Sequence, residues 1–405
     1  MESNKNIGII TLCGLIIGPI LGSGIVLLPP LAFQMIGSWS ILAWILIMIL
    51  GVVFAYVFIF LSLESPGNEG VSIAVRNTLG EFWSELTSNF LSVAVCFGPT
   101  AVLLTASSFL KNFGIFSNVN IGLISLGLEF ICASILAVGI KTFSKLSLIL
   151  TSSTAILLFC GSIYSLLFSS NAHVSNSHFS YSKFAYTLLL LFWAIIGWEI
   201  VGNYIEDIKN PQKTLKKAMN ISLIVIVILY ILVAISLTRV SNNDYSVISI
   251  MTPLFGYFAS PIISIIALGL CVCTYLMVVG GASRMNASRA KKGALPAFFG
   301  YLGKNGSPII ILITYLLIHS FIYGLVFIHF LTIDKLVTCA NVFFLSNALI
   351  GLITGFRLLK NIKLRFAIII LIASFSILLF RAALWSLILL ILVFLLTLYK
   401  SYNNL

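Results

Sequence analysis

The sequence predicts an all-α polytopic membrane protein of twelve transmembrane helices: a five-plus-five inverted repeat with discontinuous helices 1 and 6, plus two extra C-terminal helices. Three observations carry this. The 405-residue chain is 60% hydrophobic and only 8% charged; it contains twelve apolar segments of membrane-crossing character; and the first and sixth of these are broken. Mean hydropathy is +1.14, and the longest polar links, 64–85 and 204–218, are too short to build a soluble core. Residues 1–405 therefore read as one transmembrane domain, with repeats at 7–169 and 183–356 and the added helices at 365–400.

The segments fall at about 7–31, 38–63, 86–110, 121–140, 145–169, 183–203, 219–239, 253–283, 307–329, 334–356, 365–380 and 383–400. Within the first, GPILGSGIVLLPP places Gly18, Pro19, Gly22 and Gly24 close together at mid-span. Backbone groups freed at that depth are costly unless protein, ligand or water satisfies them, so the break implies a lined cavity. The half-helix starting near Ser23 and Gly24 would aim its positive end and free amides into it, which suits a carboxylate. The sixth segment repeats the anomaly: TLLLLFWAIIGWEIVGNYIEDIKNP meets Gly197, Glu199 and Gly202 before its polar exit. Breaks five spans apart place the second group of five inverted relative to the first.

With the N-terminus in the cytoplasm, only Lys111, Lys183, Arg239, Lys335 and Arg381 of the 23 Lys and Arg residues face outward. This asymmetry predicts a multi-pass protein with both termini cytoplasmic. The formal charge of +12 sits in short links without aromatic interleaving, so no nucleic acid partner is expected. The seven cysteines, Cys13, Cys96, Cys132, Cys160, Cys271, Cys273 and Cys339, all lie in apolar runs and read as small apolar residues. His319 and His329 have no companions at ligand spacing, so neither a metal nor a cofactor is expected. MESNKN leads into a span longer than a signal h-region and is expected to stay in the mature chain.

GPILGSGIVLLPP resembles the first-span signature of the amino acid, polyamine and organocation (APC) superfamily. FWAIIGWEIVGNYIEDIKNPQKTLKKAM is similar to its sixth span and following loop, and SRMNASRAKKGALPAFFGYLGKNGSP to its loop between spans eight and nine. The short length, two trailing spans and SPGNEGV in the second loop look most like the compact bacterial branch of amino acid exporters and exchangers.

The resemblance implies a substrate site at mid-membrane between spans one, three, six and eight. On it, Gly22, Ser23 and Gly24 bind the substrate, with the Ser23 and Gly24 amides and the Ser23 hydroxyl on its carboxylate, and Ile20 and Leu21 carbonyls accept from its α-amino group. Trp193, Ala194 and Ile195 supply further carbonyls, Gly197 is the second break, and Trp193 closes over the substrate. Cys96, Gly98 and Pro99 interrupt the third span, either as substrate contacts or as a kink. Two departures stand out: relatives that replace a sodium ion with a lysine carry it in the fifth span where this chain has Thr154, and Val71 to Val75 lacks the tyrosines usual in the second loop.

The ionisable residues have alternative readings. Glu199 beside the break is a proton-coupling or gating group, or a structural carboxylate bonded to free amides. Glu129 in the fourth span is a proton carrier or a helix-packing partner. Trp198 faces a neighbouring helix or lipid. Asp207, Lys209, Asn210 and Pro211 form a turn capping the next helix, with Lys216 and Lys217 as topology charges or members of a gating ion pair.

The expected function is secondary transport of amino acids across the bacterial inner membrane by alternating access. Neutral or apolar amino acids are favoured, because the site carries no fixed charge other than Glu199. Expected partners are the amino acid, the lipid bilayer and a coupling proton or counter-substrate, with the protein a monomer or homodimer. The alternatives are transport of a polyamine or cationic amino acid, or a membrane-embedded enzyme or structural partner. No paired acids, His cluster or Ser with a base marks an enzyme, and no ATP-binding motif is present.

Overall fold

The computed structural model describes residues 7–67, 69–111, 116–138, 140–168, 178–239 and 246–403. All of MESNKN, including Lys5, and the side chains of Lys141 and Lys145 lie outside that description. The described residues are almost entirely helical. The first span is α1 (Ile9–Leu21) and α2 (Gly24–Ile36), followed by α3 (Trp39–Glu64), a short α4 (Val71–Leu79), α5 (Glu81–Lys111), α6 (Ile121–Val138) and α7 (Ile140–Phe168). The sixth span is composite: α8 (Tyr181–Leu191), a 3-10 turn Phe192–Ile195, α9 (Trp198–Val201) and a second 3-10 turn Gly202–Asp207. Then come α10 (Pro211–Leu237), α11 (Val247–Phe255), α12 (Ala259–Lys291), α13 (Ile309–Phe327), α14 (Ile333–Leu358), α15 (Ile362–Leu379) and α16 (Leu384–Asn403).

Eleven helical stretches among the described residues are long and apolar enough to cross a membrane, counting Ile9–Ile36 as one. The broken sixth span falls short because its apolar helical part, Tyr181–Ile195, stops at the break. One expected boundary changes: 253–283 begins inside α11, the chain turns at Gly256 (φ 52), and α12 starts afresh and runs to Lys291.

The buried α5 is the hub, packing on α14 and α12. Elsewhere α1 packs on α7 and α10, α7 on α12, α3 on α8 and α9, and α6 on α13. The helices α15 and α16 stand at the outside, α15 against α14 and α16 against α5.

The Lys- and Arg-rich helix ends converge at one end of the bundle. The backbone there pairs Ile7 with the exit of the broken sixth span: Ile7 N–H donates to Asp207 O (3.2 Å) and Lys209 N–H to Ile7 O (3.1 Å). Arg284 of α12 forms an ion pair with Asp207 and lies over the Tyr204 ring. Asp207 thus pairs with α12, in place of a gating pair with Lys216 or Lys217, while the Asn210–Pro211 turn starts α10 as expected. Beside it, the buried Glu69 carboxylate accepts from Arg76 (3.1 Å), Ser288 (3.0 Å) and Lys292 (2.5 Å). Burial alone pushes the Glu69 carboxyl up, but the Lys292 and Arg76 charges and these hydrogen bonds outweigh it and hold it below the usual carboxylate range. Burial likewise opposes the charge of Arg76, and the Glu69 and Glu81 carboxylates outweigh it, raising its pKa above the ordinary value.

Candidate functional site

Pro19, Gly22 and Ser23 open the first span. The helix α1 stops at Leu21, and Gly22 takes φ 43, ψ −143, a conformation that side-chain-bearing residues rarely adopt. Helix α2 then starts at Gly24, and its first-turn amides have no partner within their own helix. The carbonyls left at the end of α1 are met from two other helices. The single Tyr230 hydroxyl hydrogen of α10 is shared between Ile20 O (3.1 Å) and Leu21 O (3.2 Å), and that of Thr274 Oγ1 of α12 between Pro19 O (3.1 Å) and Leu270 O of its own helix (3.0 Å). The Ile20 and Leu21 carbonyls expected to face a substrate amine are therefore already bonded to Tyr230, leaving each with one further lone pair.

The second break follows different chemistry. The chain tightens into the turn containing Trp193, Ala194 and Ile195, extends at Ile196 (φ −74, ψ 145), and reaches Gly197 at φ 124 before α9 begins. Gly197 N–H donates to Glu199 Oε2 at 3.0 Å, so the Glu199 carboxylate caps the backbone freed by the break. This is the bond that the structural reading of Glu199 expects.

The two breaks meet. Trp193 Nε1 donates to Ser23 Oγ at 3.3 Å, and a Cβ on Gly197 would come 3.2 Å from the Ile20 side chain. Between them lies a cavity of about 30 Å³ bordered by Pro19, Gly98, Pro99, Trp193, Gly197 and Thr274. That is room for one or two waters, so Trp193 stands closed over Ser23 in this conformation. Phe344 of α14 backs Trp193 edge-on at 6.5 Å.

Eight of the expected contacts do not border this cavity: Ile20, Leu21, Gly22, Ser23, Gly24, Cys96, Ala194 and Ile195. Cys96 does not border this cavity; it lies one turn from Pro99 and lines a separate cavity on the other side of α5. Neither Ala194 nor Ile195 borders it; both are buried, and Ile195 packs against α3 at Gly51, where a Cβ would lie 2.6 Å from its Cγ2. Trp198 is 1% exposed and faces neighbouring helices, not lipid.

A second polar centre lies on the four helices α5, α6, α12 and α13. Pro99 has no N–H, so the Val95 carbonyl four residues earlier loses its helical donor. His319 Nε2 occupies that carbonyl at 2.9 Å. A carbonyl only accepts, so Nε2 carries hydrogen, and Nδ1 faces Glu129 Oε1 at 2.7 Å. The Tyr275 hydroxyl donates to the same oxygen at 2.8 Å. Both members of the pair are fully buried. Sequence spacing alone could not find this centre, because its members come from four spans. Tyr230 and Thr274 were missed for the same reason; their only sequence signal is a hydroxyl at mid-span.

A profile of the family described as amino acid permease matches residues 7–403. The chain belongs to the amino acid permease family. No curated protein matches it in direct comparison. Membership makes this permease a multi-pass transporter rather than an enzyme, with amino acids as its substrate class and lipid as its surroundings. Among the described residues no group of three or more His, Cys, Asp or Glu is placed to hold a metal.

Proposed function

We propose that this permease is a secondary active transporter of neutral or apolar amino acids in the bacterial inner membrane, working by alternating access about the paired breaks. The observation that carries the reading is the contact of Trp193 with Ser23: it joins a first-turn amide nest suited to a carboxylate to a hinge-like break with an aromatic lid. The small cavity is then the closed state, and opening swings Trp193 off Ser23.

An inverted repeat is supported by the packing. Exchanging each of spans one to five with the span five later carries the α5–α14 contact onto α12–α7, α1–α10 onto α8 and α9 against α3, and α5–α6 onto α12–α13, while α6–α13 maps onto itself. The extensive α1–α7 contact has no counterpart of similar extent, as expected if one conformation breaks the symmetry.

Within this reading the coupling proton belongs to the Glu129–His319 pair, because Glu199 is engaged with Gly197. Loss of a proton from the pair leaves His319 one N–H for two acceptors, Glu129 Oε1 and Val95 O, so the bond to Val95, one turn before Pro99 at the cavity's edge, becomes one that can be lost. The ionic ties at the Lys- and Arg-rich end form the cytoplasmic gate. The compact-branch resemblance favours export or exchange.

Counterflow in liposomes tests the reading. Purified protein, preloaded in turn with each unlabelled amino acid, should accumulate trace labelled leucine or methionine but not arginine. Folded protein that shows no counterflow with any amino acid would refute it, and arginine-driven uptake would replace the neutral substrate with a cationic one.

A further inference from the structure

A second cavity, larger than the one at the breaks, lies away from them. A cavity of about 470 Å³ lies between α5, α12, α13 and α16, with Cys96 at its inner end and Lys400 at the Lys- and Arg-rich end. On α5 it is lined by Asn89, Ser92, Val93 and Cys96. On α13 the lining is Ile311, Thr314, Tyr315 and Ile318, and on α16 it is Val393, Leu396, Thr397 and Lys400. Each set has the spacing i, i+3, i+4, i+7, one helical face over two turns, or about 10 Å of groove. The size falls in the range of small-molecule sites, not of packing defects.

Its polarity is graded. At the charged end Arg289, 2% exposed, bonds Glu85 (2.7 Å), Asn89 (2.7 Å) and Asn286 (3.1 Å). Its Nε is buried without a hydrogen-bond partner among the described residues. Lys400 stands at the mouth with its ammonium on Ala294 O (2.6 Å). Two cations with one carboxylate leave a net positive end. The side walls from Ile311 to Ile318 and from Val393 to Leu396 are largely apolar. The helix α16 is held to α5 by the Asn89–Thr397 hydrogen bond (2.9 Å) but makes no extensive contact with α13, so the groove opens sideways between them.

We infer that this groove is a lipid site: it takes one anionic phospholipid from the leaflet at the Lys- and Arg-rich end, headgroup against Lys400 and Arg289, one acyl chain between α13 and α16. A lateral opening admits a molecule already in the bilayer, the apolar walls suit a hydrocarbon chain, and the cationic end selects a negative headgroup. The groove shares α5 and α12 with the substrate site but none of its cavity-lining residues. The assignment does not depend on what the broken spans carry.

Native mass spectrometry of the full-length protein in detergent tests it, using phosphatidylglycerol and phosphatidylcholine of identical chains, and inorganic phosphate alone. The wild type should retain one phosphatidylglycerol at least fivefold more than phosphatidylcholine. Thr314→Trp, filling the groove, should abolish retention, and Leu396→Trp on the exposed rim, where folding is not at risk, should reduce it severalfold. Lys400→Gln should lower the headgroup preference while sparing chain binding. Equal retention of the two lipids, undiminished binding by folded Leu396→Trp, or displacement of the lipid by millimolar inorganic phosphate would overturn the inference.

Discussion

Glu199 and Glu129 are both carboxylates buried at membrane depth, yet they are held in opposite ways. Glu199 is bonded two residues back along its own chain, to an amide exposed by the break at Gly197. Glu129 is bonded across the bundle, to Tyr275 of α12 and His319 of α13, and the Tyr323 hydroxyl of α13 also interacts with it. A carboxylate tied to its own backbone maintains a local shape. A carboxylate tied to a histidine that also holds the Val95 carbonyl links a proton to the backbone of another helix, one turn before Pro99. Breaking the first should disturb the site; breaking the second should disturb both the bundle and its response to pH.

The largest effect should come from the cross-bundle pair. Glu129→Ala or His319→Ala strands a buried polar partner and should cost about 3–5 kcal/mol, read as a lowered unfolding temperature in detergent. Glu129→Gln, which still accepts from Tyr275, should recover most of that stability while flattening the pH dependence of counterflow. An unchanged pH profile in the folded Gln variant would leave Glu129 a packing residue.

Glu199→Ala comes next. Leaving the Gly197 amide buried without an acceptor should cost about 1–3 kcal/mol and lower the transport rate, whereas Glu199→Gln keeps an acceptor and should retain most transport at every pH. A Gln variant as defective as the Ala variant would mean the ionised carboxylate itself is required, returning the coupling role to Glu199.

Tyr230→Phe should cost about 1 kcal/mol and alter substrate affinity, since it removes the donor from Ile20 and Leu21 carbonyls. Gly24→Ala should mimic it, because its Cβ would lie 2.6 Å from the Tyr230 hydroxyl.

At the Lys- and Arg-rich end the effect is one of pH. The Glu69 carboxyl sits below its ordinary value when folded, so its stabilisation is complete above the unfolded carboxylate pKa and fades as pH falls through the lowered folded value. Acid titration of thermal unfolding should therefore lose part of its slope in Glu69→Gln.

What the sequence revealed tracks the same distinction between local and long-range contacts. The breaks were legible because Gly22 and Gly197 advertise backbone that cannot continue as helix inside a membrane, and the spans because apolar length is a local property. Ser23, Gly24, Trp193 and Gly197 follow from the breaks and lie together at the site. Cys96 borders a different cavity from Pro99 although one turn of α5 separates them: helical phase decides which cavity a residue faces, and the apolar run of a span does not display that phase. Tyr230, Thr274 and His319 were illegible, since each acts on a carbonyl freed in another span.

The central claim is that the two breaks form one substrate site. The most direct test is a double-mutant cycle on apparent amino acid affinity in counterflow, using Ser23→Ala, Trp193→Phe and the pair. Each single change removes the same Trp193–Ser23 hydrogen bond, so the double variant should be little worse than either alone, with a coupling energy of about 0.5 kcal/mol or more. Strictly additive losses would place Ser23 and Trp193 in separate sites and contradict the account.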